Sequence, residues 1–424
     1  MNVLIKACRI VDPQSAFFNQ QKDVLIENGV ISQIADSIDV SASTEIIKGE
    51  DLRLSPGWID MCVDFCDPGF EHKEDVISGL DAAAKGGFTA VGILPNTQPV
   101  IDNKSQVQYL LNKAKGSLTD ILVIGAATAG LDNSHLAEMY DMETAGAIAF
   151  SNGKKAISNA GTMMRCLQYV LPNKGLIINF PDDAALSANG HLNEGQTSTK
   201  MGLKGRPNLA EFSIVQRDIN LVEYTNSRLH FSQISTQQSV NLIKDAKAKG
   251  LAVSCAVSPW HLIFTDAVLA DFDSAWKINP PLRIEADKQA LITALKDGTI
   301  DCISSFHNPQ DVDCKDVEFN HADFGAIGLQ TTFLLLNHYL EDEIDDALLV
   351  NILAINARKI LNIKAPEIAE GKPANLTIYS RKGETTINAE MIASKSKNTP
   401  LLGQSLKGRV IATYNNGQLI KNPA

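Results

Sequence analysis

The sequence predicts an α/β fold, an eight-stranded parallel β/α barrel of the TIM type, carrying a small β-sandwich domain formed by both termini. Three observations predict it. Apolar strand-like runs alternate with amphipathic helical stretches through the middle of the chain, which is the order that builds a parallel sheet with covering helices. Short strands without helices between them occupy both ends, so the termini are expected to meet in one domain. No glycine-rich nucleotide fingerprint follows the first central strand, which disfavours a doubly wound sheet.

The elements follow in order. "NVLIKACRIV", "KDVLIENGVISQIA" and "STEIIKG" read as strands, and Asn28-Gly29 inside the second is a two-residue hairpin turn signal. Central strands are predicted around 58–65 and at 88–94, 120–127, 146–151, 176–180, 228–235, 251–258 and 300–306. Helical stretches such as 239–250 and 287–298 end in glycine, the residue that most readily closes a helix. "ANLTIYS", "TTINA" and "GRVIATYNNGQLI" return to strands, with Asn416-Gly417 as a second hairpin turn. The expected division is 1–52 and 366–424 for the β-domain and 53–365 for the barrel.

Composition restricts the function. A chain of 424 residues with 44% hydrophobic and 21% charged residues is ordinary for a globular protein, and a net charge of −11 opposes a nucleic-acid surface. No apolar run reaches the roughly 18 to 20 residues of a membrane span, and the N-terminus lacks the apolar core of a signal peptide. The seven cysteines are scattered, without a CxxC pair, so a reduced, cytoplasmic setting is expected.

Specific motifs then come in a fixed order. "SPGWIDMCVDFCDPGFEHKED" (55–75), "LPNTQPVID" (94–102), "NEGQTSTKMGLKGRPNLAE" (193–211), "RLHFSQIST" (228–236), "VSPWHL" (257–262), "INPPLR" (278–283) and "SKSKNTPLLGQSLKGRV" (394–410) span the chain. Together they resemble the class I dihydroorotases of the amidohydrolase superfamily. The resemblance implies the barrel with its β-domain, and an activity that opens and closes a dihydropyrimidine ring with one or two zinc ions at the barrel mouth. Zinc there lowers the pKa of bound water and polarises the amide carbonyl, while an aspartate moves the proton.

Residue by residue, the resemblance places other side chains where that machinery would stand. The first-strand pair of histidine ligands corresponds to Cys62 and Asp64, and the arginine that grips the substrate carboxylate corresponds to Cys66. The bridging aspartate matches Asn152, the next histidine Asn179 or Phe180, and the fourth Gln233. The catalytic aspartate matches Phe306, and the last histidine of that motif Gln310. Positions with packing or turn roles, such as Pro56, Gly57, Pro280 and Pro281, are kept. This pattern predicts a degenerate member without the metal ligands, so no catalytic residue and no cofactor is expected.

Cys62 and Asp64 remain weak candidates for a rebuilt metal site, since thiolate and carboxylate both bind zinc. A carboxylate in a barrel mouth needs a partner, and for Asp64 either a water network or a lysine such as Lys154 can serve. Asn96, Asn279, Arg283 and His307 make up a residual substrate pocket, whose lost carboxylate-gripping groups predict poor binding of acids. His261 and His230 read as structural, and His72, Lys73 and Glu74 as turn residues.

The expected function is a catalytically inactive homologue acting as a structural partner of aspartate carbamoyltransferase, which such members accompany, and a homodimer is possible. Two alternatives stand beside it. One is an active cyclic-amide hydrolase with a rebuilt site at Cys62, Asp64 and His307, with zinc if a metal serves it. The other is a ligand sensor using the residual pocket. Neither a nucleic-acid nor a membrane partner is expected.

Overall fold

A computed structural model describes residues 2–423; Met1 and Ala424, at the outer ends of the two segments assigned to the β-domain, lie outside the described residues. Eight central strands follow one another around a parallel sheet: Trp58–Val63, Phe88–Ile93, Asp120–Ala126, Ala147–Ser151, Ile177–Asn179, Leu229–Phe231, Val253–Val257 and Cys302–Ile303. Each is hydrogen-bonded in parallel to the next.

The first and last strands are drawn together by Asp60. Its carboxylate accepts from the Ser305 backbone N–H at 2.7 Å and from the Ser304 hydroxyl at 2.7 Å, and the Asp64 N–H donates to the His307 carbonyl at 2.9 Å. Burial raises the pKa of the Asp60 carboxyl, against the opposing pull of these donors. The price in regular structure is visible in the last strand, predicted at 300–306 but laddered only at Cys302–Ile303. Beyond it the backbone turns to meet Asp60, and Phe306 takes a left-handed φ of 49°. The strand predicted at 228–235 also ends early, at Phe231, because residues 235–236 turn to bond Glu211.

Side chains alternate across these strands, apart from an irregularity between Asp60 and Val63 in the first, so the barrel makes two apolar layers. Ile59, Met61, Cys62, Ala90, Ile124, Ala149, Ile178, Ala256 and Cys302 fill the interior. Val63, Val91, Val123, Phe150, Phe231 and Val257 face the helices in a larger cluster. Helices start on side-chain caps, Asp75 for Val76–Lys85 and Thr236 for Gln237–Ala248.

Strands from both termini join in one hydrogen-bonded path in the order Gln418–Lys421, Ser405–Asn415, Leu376–Thr386, Leu52–Pro56, Val3–Ile10, Gln21–Glu27 and Val30–Ala35, with Glu45–Ile47 also on Val3–Ile10. Ile5, Ile26 and Ile31 meet Ile378 and Tyr414 in one core, so the two ends of the path fold over shared apolar contents. Both hairpin signals are realised: φ is 50° and 80° at Asn28-Gly29, and 51° and 71° at Asn416-Gly417, as a two-residue type I′ turn requires. Trp58 ties this domain to the barrel, its ring 5.4 Å from that of Tyr379 and 5.3 Å from that of Phe333. Among the described residues, no helix is long and apolar enough to cross a membrane.

Candidate functional site

The C-terminal ends of the barrel strands carry a polar cluster centred on Asp64. Its side chain is 3% exposed and is paired with Lys154, whose side chain is 30% exposed. The Lys154 ammonium also donates to Asn308 Oδ1 at 3.2 Å, and the other Asp64 oxygen accepts from the Cys66 N–H at 3.0 Å. Burial of the amine would by itself lower its pKa, but the Asp64 carboxylate outweighs that and raises it, so the ammonium form persists.

The turn that presents Lys154 is locally determined. Asn96 Oδ1 accepts from the Lys154 N–H at 3.0 Å, and Asn96 Nδ2 donates to the Asn152 carbonyl at 3.3 Å. This approach requires Gly153: its φ is 64°, and a Cβ there would lie 1.6 Å from Asn96 Oδ1. Lys154→Met leaves a buried carboxylate unpaired. The expected result is a loss of about 2 kcal/mol, below the range for fully buried pairs because the lysine is partly exposed, read by urea unfolding at pH 7.

The other residues that the resemblance sets against the family's site positions are engaged elsewhere. Cys62 lies in the apolar barrel interior, where burial raises its thiol pKa well above the ordinary value. Cys66 is likewise buried with a raised pKa. The rings of Phe180 and Phe306 stack with centroids 5.7 Å apart and an interplanar angle of 15°; the resemblance sets Phe306 against the proton carrier and either Phe180 or Asn179 against a ligand. Asn152 is bound to Thr128 and Asn133. Gln310 accepts from the Lys73 ammonium at 2.6 Å and donates to the Phe324 carbonyl at 3.1 Å.

Asn179 donates to the buried Asp218 at 2.6 Å. Burial pushes the Asp218 carboxyl up to about 6, with Arg217 opposing. A carboxyl raised from 3.8 favours folding below its unfolded pKa, and that stability is lost as pH rises through about 6. Asp218→Asn should therefore flatten the stability profile between pH 4 and 6 by roughly 3 kcal/mol, measured by denaturant midpoints at successive pH values.

His307 does not face the mouth. Its Nδ1 accepts from the Gly328 N–H at 3.2 Å, so Nε2 carries the proton and lies 3.5 Å from Glu74, outside good hydrogen-bond geometry. Burial would raise the Glu74 pKa, but His307, Ser394 and Ser78 outweigh it and lower it. Arg283 is buried and spends its donors on Ser235, Asn193 and the Arg206 carbonyl, at 3.0, 3.0 and 3.1 Å. Asn279 and Gln233 line a small pocket with His261, Phe306 and Asn308. His72 and Lys73 make loop contacts to Asp311 and Asp323.

The motif reading missed Glu211, although the motif containing it was evident. It accepts from the Ser235 and Thr236 N–H groups, both at 3.0 Å, and from both hydroxyls, and lies 3.6 Å from Arg283. Its helix register gives no hint of those partners.

These residues do not fit the zinc that the resemblance implies. Among the described residues, no three His, Cys, Asp or Glu side chains converge as a metal site. Asp64 is held by an ammonium, Cys62 lies in the apolar interior, and the rings of Phe180 and Phe306 stack on each other.

Comparison with known proteins is consistent with this architecture. The solved L-hydantoinase (dihydropyrimidinase) from Arthrobacter aurescens superposes with a TM-score of 0.86 at 22% identity, covering 99% of this chain and 96% of its own. A dihydropyrimidinase from Brevibacillus agri gives 0.84 at 20% identity, covering 100% and 95%. The fold is that of the amidohydrolase barrels. The family described as Dihydro-orotase-like matches residues 52–239. A dihydroorotase of Geotalea daltonii is 41% identical over 422 residues, 99% of each chain, and one of Acetivibrio thermocellus is 39% identical over 421 residues, 99% of this chain and 98% of its own. The chain belongs to the dihydroorotase family.

This corrects the functional expectation. Full-length relatives at 38% to 41% identity carry the name dihydroorotase, which favours the hydrolase alternative over a catalytically inactive partner of aspartate carbamoyltransferase. The changed ligand positions were a reading of individual residues, and loss of one ligand set does not by itself exclude another way of polarising an amide.

Proposed function

We propose that the chain is a cyclic-amide hydrolase of the dihydroorotase type whose acid–base work falls to Asp64 and Lys154 rather than to the family's metal ligands. The observation that carries this reading is the buried carboxylate–ammonium pair at the barrel mouth, at the first-strand position where the family places a ligand. The identities of Cys62, Asn152, Phe180, Gln233 and Phe306 support the absence of the usual ligand set. Of the rebuilt-site candidates, Asp64 is retained. Cys62 and His307 are set aside because one is held as a neutral buried thiol and the other faces Glu74.

In this reading Asp64 takes a proton from water as the water oxygen bonds to the ring carbonyl carbon. The Lys154 ammonium donates to the developing oxyanion, a group whose charge is greatest in the transition state. The ring C–N bond then breaks, and the nitrogen receives the proton from Asp64. General acid–base catalysis of this kind is worth about 10² to 10⁴ in rate.

The test is hydrolysis of dihydroorotate by protein purified without chelator or added metal, with metal content measured on the same sample. Turnover that follows protein rather than metal, and falls at least a hundredfold in Asp64→Asn, is expected. Turnover that rises only with added zinc, or none above the uncatalysed rate, overturns the proposal.

A further inference from the structure

A cleft of about 400 Å³ lies at the seam between the barrel and the β-domain and shares no residue with the cluster around Asp64. Its size and its place between two structural units are those of small-molecule sites. The barrel contributes Lys85, at the end of the helix Val76–Lys85, and Leu334 in the helix Thr332–Tyr339; the β-domain contributes Glu384, Arg409 and Val410. Hydrogen bonds fix the walls. Gln330 donates to the Met391 carbonyl at 2.8 Å and accepts from the Ala393 N–H at 2.7 Å. Asn422 donates to the carbonyls of Lys85 and Val410 at 2.8 and 2.9 Å. Leu334 and Val410 are buried and Met391 partly so, which makes the floor apolar.

Arg409 has an imposed direction in this cleft. The pairing of Leu376–Thr386 with Ser405–Asn415 breaks between Ser380 and Glu384, where the chain passes through Gly383 at a φ of 78°. The Arg409 side chain lies against the backbone there: a Cβ on Gly383 would come within 3.0 Å of Nε. Nε donates to the Glu384 carbonyl at 3.1 Å. Among the described residues the two terminal nitrogens have no acceptor, so a guanidinium anchored at its base presents an open fork. Such a fork matches the two oxygens of a carboxylate.

The charges around it narrow the ligand. Lys85 is engaged by Asp81 at 2.9 Å, whereas the carboxylates of Glu384 and Glu390 have no cation among the described residues. A ligand carrying only an anion gains the fork but meets both carboxylates. One carrying only a cation leaves the fork bare.

We propose that this cleft binds a zwitterionic α-amino acid with an aliphatic side chain. Its carboxylate lies on Arg409, its ammonium beside Glu384 or Glu390, and its side chain over Leu334, Val410 and Met391. The ligand touches both barrel and β-domain, so its binding stabilises the folded chain. Because the two carboxylates are exposed they contribute weakly, and a Kd of about 1 mM is expected.

The experiment is titration of the full chain with L-leucine, isocaproate and isoamylamine, followed by the methyl resonances of isotope-labelled methionine. Leucine should shift the Met391 signal, identified by its loss in Met391→Leu, with half-saturation at about 1 mM. Isocaproate, which lacks the ammonium, should bind about threefold more weakly. Isoamylamine, which lacks the carboxylate, should lose tenfold or more. Arg409→Gln, a change at an exposed position, should bring leucine down to the affinity of the amine. A Met391 signal unmoved at ten times the expected Kd overturns the proposal. So do equal binding of all three compounds, unaltered leucine binding in Arg409→Gln, or shifts confined to other methionines. The outcome does not depend on whether the barrel mouth hydrolyses any ring.

Discussion

Replacement of Glu211 by alanine should cost 3 kcal/mol or more and disorder the mouth of the barrel. Glu211 is 2% exposed and stands at the start of the helix Leu209–Thr225. Its carboxylate takes two backbone N–H groups and two hydroxyls from Ser235 and Thr236, where the chain leaves the sixth barrel strand. Removing it leaves those donors unpaired and takes away the carboxylate 3.6 Å from Arg283. Each unsatisfied buried donor costs about 1 to 3 kcal/mol, and breaking a buried ion pair about 3 to 5. Glu211→Gln keeps the shape but loses the charge, and should fall between wild type and alanine. Urea unfolding of the three proteins, with the denaturant slope compared, checks this. A loss below 1 kcal/mol in the alanine variant would mean that water replaces the carboxylate at little cost.

That residue also marks the limit of what the sequence discloses. The hairpins at Asn28-Gly29 and Asn416-Gly417 were legible because a type I′ turn demands residues that tolerate positive φ, a local constraint. The barrel strands were legible because burial on both faces makes near-continuous apolar runs. Strand ends were not, since they are set by distant side chains. Asp60 pulls Ser304 and Ser305 out of the last strand from 244 and 245 residues away, and Glu211 does the same to Ser235 from 24 away.

The site shows the same division. Its place on the barrel followed from motif order, and the cost of a buried carboxylate left a water network or Lys154 as the partner of Asp64; the structure supplies Lys154. The direction of His307 was not legible. Adjacent to Phe306 in sequence, it faces Glu74 because the backbone at Phe306 is left-handed, with φ at 49°. Nor did the sequence show that Gln233 and Ser258 would meet His261, since that depends on a carbonyl at Pro280 fixing its tautomer. Function was harder still. Substituted ligands argued for an inactive homologue, while the full-length relatives at 39% to 41% identity carry the name dihydroorotase, which favours the hydrolase alternative.

Acidification should destabilise the protein through His230 and His261, and His230→Leu should remove half of that effect. Burial pushes His230 down to about 3 and His261 down to about 4, from 6.5. A histidine depressed in the folded state binds its proton more readily when unfolded. The stability it contributes is therefore present above about 6.5 and lost as pH falls toward the folded value. Two such protons give a slope of about 2.7 kcal/mol per pH unit between 6.5 and 4. Asp218, raised to about 6, acts in the opposite sense over much of this range and offsets about half of that slope. Asp60 and Asp301, also raised by burial, add to the offset. The wild-type profile thus understates the histidines, and the variant comparison isolates them. Among the described residues His230 has no ion-pair partner, its Nδ1 bonds Ser254 at 2.9 Å and its Nε2 is unbonded, so leucine removes little else. Unfolding free energies at pH 7, 6, 5 and 4 should give a variant slope lower by about 1.4 kcal/mol per unit. Identical slopes would mean that His230 stays solvated enough to protonate in the folded protein.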